Sequence, residues 1–235
     1  MKLSKRLELV ASFVPKGSRI ADIGTDHGYV PIYLAEKGIC PKAIAADIKI
    51  GPLKRAEAHI RKHGLSDRIE TRFSDGFHRL EPGEADTVII AGMGGELMIH
   101  ILEDGQHMWE SVREFILSPQ SDLFQVRRYL EKNGFQIEDE EMVMDEGKYY
   151  TVMLVKRGNM QYETAAWYCY GKRLIEKKHP VLLSFLEKEE RRISEILNNL
   201  NQQHTSGADR AKADLQQQIL LIQKTRREME EEKLK

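Results

Sequence analysis

The 235 residues carry 36 Lys and Arg against 37 Asp and Glu, a net charge of −1, so no global basic field advertises a nucleic-acid partner. With 41% apolar and 31% charged residues, the composition is that of a globular chain and excludes a disordered one. Two cysteines in unrelated surroundings, Cys40 and Cys169, suggest neither a disulfide framework nor a metal site, and no apolar run suits a signal peptide or a bilayer span. The expectation is a cytoplasmic protein with no metal and no membrane association.

Leu3, Leu7, Val10, Ala11 and Val14 recur at helical spacing, and Pro15-Lys16-Gly17 ends that helix. Short β-like runs then alternate with helical ones. Strands are predicted at Arg19 to Ile23, Ala43 to Asp47, Ile69 to Phe73, Thr87 to Ala91 and Glu114 to Leu117. Helices are predicted at Tyr29 to Lys37, Pro52 to His63, Glu96 to Leu102 and Leu123 to Asn133. Such alternation implies right-handed crossovers and a parallel sheet covered on both faces. Phe135 to Met144 and Tyr149 to Val155 are joined by Asp145-Glu146-Gly147-Lys148, too short for a helix, so they form an antiparallel pair.

Composition changes after Arg157-Gly158-Asn159, where good helix formers take over. A helix is predicted around Ala165 to Lys177, followed by two long helices. Leu182, Leu186, Ile193, Leu197 and Leu200 mark one apolar seam; Ala208, Ala211, Leu215, Ile219, Ile222 and Met229 mark the other. With His204-Thr205-Ser206-Gly207 as the connection, this reads as an antiparallel coiled-coil hairpin. The expected organisation is a doubly wound α/β domain over 1–158 and a helical hairpin domain over 159–235.

An open parallel sheet binds its ligand beyond the carboxyl ends of its strands, where the winding reverses. The first strand ends in Asp22-Ile23-Gly24-Thr25-Asp26-His27-Gly28. A dinucleotide requires G-x-G-x-x-G there; Asp26 occupies the second glycine position and Tyr29 the third, and a carboxylate repels pyrophosphate. S-adenosylmethionine carries no phosphate, and its cationic sulfonium and amino group tolerate Asp22 and Asp26. Gly24, Thr25, His27 and Gly28 complete that turn. Asp47, 25 residues beyond Asp22, ends the second strand where an acid accepts ribose hydroxyls, with Ile48 beside it. At the third strand end, Asp75 suits an adenine amino group and Gly76 leaves room for the ring. Each acid alone is more often a cap or turn residue; three at successive strand ends point to a methyltransferase-type Rossmann-like fold.

The fourth strand ends in Ala91-Gly92-Met93-Gly94-Gly95, a bare wall beside the expected methyl group. It lacks the Asn/Asp-Pro-Pro-aromatic stretch of many amine methylases, and neither cysteine lies at a strand end for C5 chemistry. The wall suits a flat acceptor, although a tight turn needing glycines explains it equally well.

Asp22-Ile23-Gly24-Thr25-Asp26-His27-Gly28-Tyr29-Val30-Pro31 with Ala91-Gly92-Met93-Gly94-Gly95, Ser74-Asp75-Gly76 and the opening Leu3-Ser4-Lys5-Arg6-Leu7 resembles the bacterial tRNA adenine-22 N1-methyltransferase family. The resemblance spans the whole chain and implies methyl transfer from S-adenosylmethionine to N1 of a tRNA adenine. It makes Asp26 a candidate to stabilise the cationic methylated ring, with His27 orienting Asp26, contacting the cofactor or serving structure alone. Tyr29 stacks on the base or packs the helix; Gly94, Gly95, Lys5 and Arg6 join the substrate-binding set. A small-molecule or protein acceptor, and a non-catalytic cofactor-binding scaffold, remain alternatives. Residues 158–235 carry 14 Lys and Arg against 12 Asp and Glu, a net +2 against −3 for the remainder, too small a difference to identify a tRNA surface. The oligomeric state is left open, a monomer being the working expectation.

Overall fold

A computed structural model describes residues 1–200 and 206–231, which divide into two compact units, Met1–Gln161 and Tyr162–Lys235. In the first, α1 (Lys5–Ser12) starts at Ser4, whose hydroxyl accepts from the Leu7 N–H, and buries Val10 and Ala11. The parallel strands follow as β1 (Ile20–Ile23), β2 (Ala43–Asp47), β3 (Ile69–Phe73), β4 (Thr87–Ala91) and β5 (Glu114–Ser118). Between and after them run α2 (Tyr29–Glu36), α3 (Ile50–Lys62), α4 (Gly95–Asp104) and α5 (Leu123–Lys132). β1 and β5 are buried along their whole length, as strands covered by helices on both faces require.

No helix covers the path from β3 to β4. Arg72 holds that path instead, donating through both terminal nitrogens to Glu84 at 2.6 and 3.0 Å and to the Arg79 carbonyl at 3.0 Å.

The sheet order is β3-β2-β1-β4-β5-β7-β6, where β6 (Phe135–Asp145) and β7 (Lys148–Arg157) are antiparallel to each other and β7 is antiparallel to β5. The predicted antiparallel pair is present. Its two-residue turn, Glu146-Gly147, has both φ values positive (49° and 78°), matching the twist of a hairpin. A bulge between Ile137 and Asp139 shifts the inward face from Phe135 and Ile137 to Glu140 and Met142. That shift brings Glu140 under α5, where Arg127 donates to it from Nε and Nη2 at 2.9 and 2.7 Å, both side chains fully buried.

In the second unit the predicted helix over 165–177 is two helices, α6 (Ala165–Tyr170) and α7 (Lys172–Glu176), broken at Gly171 with φ 94°. A chain of good helix formers hides that break, because the left-handed conformation of a single glycine ends the helix. α8 (Pro180–Leu200) and α9 (Ser206–Glu230) run antiparallel: Glu190 meets Gln223 and Arg226, and Lys178 reaches the Glu231 carbonyl. Leu182, Leu186, Ile193, Ile222 and Met229 are buried in the seam, while Leu197, Leu200, Ala211, Leu215 and Ile219 are half-buried. Thr225 fills the gap between Ile222 and Met229, fully buried with its hydroxyl donating to the Leu221 carbonyl. Ser206 and Gly207, predicted in the connection, belong to α9; His204 and Thr205 lie outside the described residues, as does the side chain of Ala208.

Candidate cofactor and acceptor site

The winding reverses between β1 and β4, and a cleft of about 310 Å³ opens there at the carboxyl ends of the strands. Gly24 turns the chain out of β1 with φ 78°, and the N–H groups of Gly24 and Thr25 both bond the Ala46 carbonyl of β2. A Cβ on Gly24 would overlap the Met93 methyl, which a flexible side chain can withdraw, so it is the positive φ that calls for glycine here. Gly28, at φ 70°, caps α2 in a left-handed backbone conformation and packs beside Ala56 of α3.

Gly24, Asp26, Asp47, Ile48, Asp75, Gly76 and Met93 line the cleft together, from four separate strand ends. Asp47 accepts from the Lys49 N–H at 2.7 Å, which opposes the upward push that burial gives its carboxyl. Ser74, buried, donates to the Gly76 carbonyl and accepts from the Arg79 N–H, fixing the turn that carries Asp75. Ile48 and Leu97 stand half exposed on its sides as bare apolar surface.

Asp22 and Thr25 are nearly buried and do not line the cleft. Burial pushes the Asp22 carboxyl up to about 6, the Thr25 side chain opposing and Asp47 adding to the shift. Asp26 is exposed, but its carboxylate is held by Arg55 of α3 at 2.7 Å and lies 3.2 Å from His27 Nε2. His27, Tyr29 and His59 stack with ring centroids 5.0 to 5.6 Å apart, and His59 Nδ1 lies 3.1 Å from the His27 carbonyl. Tyr29 therefore has both a stacking partner and an exposed face, at 38% exposure.

The wall after β4 is built with the segment after β5. Gly92 N–H bonds the Ser118 carbonyl, and Gln120 N–H bonds the Met93 carbonyl. A Cβ on Gly92 would stand 3.2 Å from Arg6 Nη1 and 3.8 Å from Gln120 Nε2. Arg6, whose backbone N–H bonds Asp145, lays its guanidinium over the Tyr150 ring at 5.1 Å. Lys5 is exposed on α1. Gly94 and Gly95 lie at the start of α4, where Gly95 N–H bonds Ser121 Oγ and a Cβ on Gly95 would stand 2.6 Å from the Ser121 carbonyl. Neither glycine lines the cleft, nor does Ala91 or Gly92. Gly95→Ala is expected to destabilise the first unit by roughly 1–3 kcal/mol in chemical denaturation, because the clash is with backbone.

Reasoning from sequence missed Leu97, Ile101, Arg55, His59 and Gln120. The first four have only the helical pattern of their segments, which signals a core as readily as a site. Gln120 was within reach, since Ser118-Pro119-Gln120-Ser121 also follows a parallel strand. Among the described residues no group of three or more His, Cys, Asp or Glu is placed to hold a metal ion, and no helix is long and apolar enough to cross a membrane.

Residues 3–153 match the family described as a methyltransferase domain. The chain is 34% identical over 207 residues to the tRNA (adenine(22)-N(1))-methyltransferase of Bacillus subtilis, covering 86% of this chain and 87% of the relative. Its fold is similar to the crystal structure of the B. subtilis m1A22 tRNA methyltransferase TrmK, with TM-score 0.85, 32% identity and coverage of 96% and 99%. It is also similar to M. capricolum TrmK in complex with S-adenosyl-homocysteine, with TM-score 0.84, 25% identity and coverage of 97% and 100%.

Proposed function

This chain belongs to the tRNA (adenine-22-N1)-methyltransferase family, and from that premise we propose how its strand-end cleft and the adjoining wall divide the work between cofactor and acceptor. The protein is an enzyme that transfers a methyl group from S-adenosylmethionine to N1 of adenine 22 in tRNA. What carries the reading of its site is the convergence of Gly24, Asp47, Asp75 and Met93 on one cleft at the point where the winding reverses. Incubation with labelled S-adenosylmethionine and unmodified tRNA, followed by nucleoside analysis, tests the activity: label appears in 1-methyladenosine. Label elsewhere, or none, overturns it.

The residues fit the cofactor. Asp47, with one oxygen engaged by the Lys49 N–H, accepts from the ribose hydroxyls through the other. Asp75 accepts from the adenine amino group, Gly76 leaves room for the ring, and Ile48 and Leu97 cover its faces. Thr25, Gly28, Ala91 and Gly92 shape the backbone around it. The cofactor supplies an electrophilic methyl group on a cationic sulfur.

N1 of neutral adenine attacks with its in-plane lone pair; the N1–methyl bond forms as the sulfur–methyl bond breaks, and the positive charge passes to the ring. No proton must leave, so alignment supplies most of the acceleration. Asp26 is the carboxylate that stabilises the new cation in this reading, exchanging part of its pairing with Arg55. His27 orients Asp26, and Tyr29 offers its exposed face to the base. Gly92 to Gly95 form the acceptor wall, with Lys5 and Arg6 contacting tRNA phosphate. N1 is blocked in a paired base, so the target adenine is presented extruded or unpaired.

Asp22 gives this site a pH dependence. Its carboxyl titrates at about 6, and the ionised form attracts the cationic amino group of the cofactor. Cofactor affinity is therefore present above pH 6 and falls as pH drops through it. Calorimetric titration with S-adenosylmethionine at pH 5 to 8 is expected to show that fall in the wild type and a shallower one in Asp22→Asn, where only the raised Asp47 carboxyl remains. Equal slopes would remove Asp22 from binding.

Residues 1–158 are the cofactor-binding methyltransferase domain in this reading, and 159–235 form a helical hairpin domain that adds phosphate contacts. Lys172 and Arg173 lead its basic cluster, each near Glu176 at 3.9 and 3.0 Å. Replacing both with Glu is expected to weaken tRNA binding and flatten its salt dependence, with cofactor affinity unchanged. Unaltered tRNA affinity would give the hairpin another task. With tRNA as its substrate the enzyme is proposed to work in the cytoplasm, and as a monomer, since the cleft residues all come from one copy of the chain.

A further inference from the structure

We infer that Gln120, at the carboxyl end of β5, reads the adenine to be methylated through its N6 and N7 edge. The inference rests on the acceptor wall proposed above and names the side chain that selects the base there.

The reaction dictates which edge is available. N1 must face the methyl group, so the Watson–Crick edge is committed to chemistry. Recognition falls to the edge carrying one N6–H and N7, a donor beside an acceptor. A primary carboxamide matches that pair in one plane: its oxygen accepts from N6–H while its NH₂ donates to N7. Guanine shows two acceptors on the same edge and would set its O6 against the carboxamide oxygen.

The segment after β5 leaves one side chain suited to this task. Ser118 is buried, Pro119 has no donor, and Ser121 is engaged by the Gly95 N–H and by Asp122. Gln120 is exposed, and among the described residues its carboxamide has no hydrogen-bond partner. Its amide nitrogen stands 3.8 Å from the point where Gly92 lacks a Cβ, so the group lies along the wall beside the Arg6 guanidinium, whose Nη1 is 3.2 Å from the same point. Its backbone is anchored to that wall by the 2.8 Å bond from Gln120 N–H to the Met93 carbonyl. Gly92 N–H bonding Ser118 ties the two segments a second time, so the carboxamide is presented from a braced loop. Asp26 does not compete for the same hydrogen: N6 carries two, and the one on the N1 side remains for the carboxylate.

The test compares wild type and Gln120→Ala on tRNA carrying adenine or 7-deazaadenine at the target position, measured as kcat/KM. Removing N7 makes N1 more basic, so a slower reaction cannot come from a weaker nucleophile. Wild type is expected to lose roughly 10-fold on the deaza substrate, the worth of one well-placed hydrogen bond. Gln120→Ala is expected to lose roughly 10- to 100-fold on adenine, and to show no further loss on 7-deazaadenine. A merely structural side chain would leave the deaza penalty in the variant, which overturns the inference. So does wild-type kcat/KM of the variant on adenine. S-adenosyl-homocysteine affinity, unchanged in the variant, shows that the cofactor cleft is intact. Failure of the wild type to methylate adenine tRNA at all would overturn the proposed function instead.

Discussion

Asp47→Ala is expected to weaken S-adenosylmethionine binding roughly 10- to 100-fold, the loss that follows when hydrogen bonds to a charged group disappear. The carboxylate ends β2 half-buried in the cleft, with one oxygen occupied by the Lys49 N–H. Burial raises its pKa and the Asp26 charge adds to the rise, while the Lys49 N–H and the nearby Lys49 and Arg55 charges oppose it. Asn keeps one acceptor and loses the charge, so Asp47→Asn should fall between Ala and wild type. The measurement is calorimetric titration with S-adenosyl-homocysteine at pH 7.5, with circular dichroism to show that the fold is retained. Affinity within twofold of wild type in the Ala variant would mean that Asp47 does not hold the ribose. The loss belongs to binding, so saturating cofactor should restore much of the methylation rate.

The largest loss of stability is expected from Arg127→Met. Arg127 on α5 and Glu140 on β6 are both fully buried, joined by two bonds to one carboxylate oxygen. Taking away the guanidinium leaves an interior carboxylate without its counter-charge, at a cost of about 3–5 kcal/mol. For a unit of this size that lowers Tm by roughly 6–20 °C. Replacing both partners, Arg127→Met with Glu140→Met, removes the buried charge and should recover most of the loss. A single variant melting within 2 °C of wild type would show that the pair contributes nothing.

Much of the proposed cofactor site is legible in the sequence. The strand ends carrying Gly24, Asp47, Ile48, Asp75, Gly76 and Met93 follow from alternating β and helical patterns and from residue type, and all six residues line one cleft. These signals are local: a glycine at φ 78° or an acid closing a strand depends on a few neighbouring residues. Asp22, Thr25 and Gly28 lie in the same turn, but Asp22 and Thr25 are buried behind the cleft and Gly28 meets Ala56. A strand's alternation decides which of its residues face a ligand, and in a strand buried on both faces no polarity pattern records it.

The chain's own sequence therefore determined the order of elements, the class of cofactor and the exclusion of a dinucleotide, because periodicity, turn chemistry and a carboxylate in a phosphate position act over short distances. Only the tertiary structure decided that β7 enters the sheet between β5 and β6, that the Glu138 bulge turns Glu140 toward Arg127, and that Asp26 pairs with Arg55. It also decided that Arg6 and Gln120 meet at Gly92, across separations of 86 and 28 residues. Such neighbours are set by crossover direction and strand register, which are collective properties of the packed sheet, and no local pattern in the sequence encodes them.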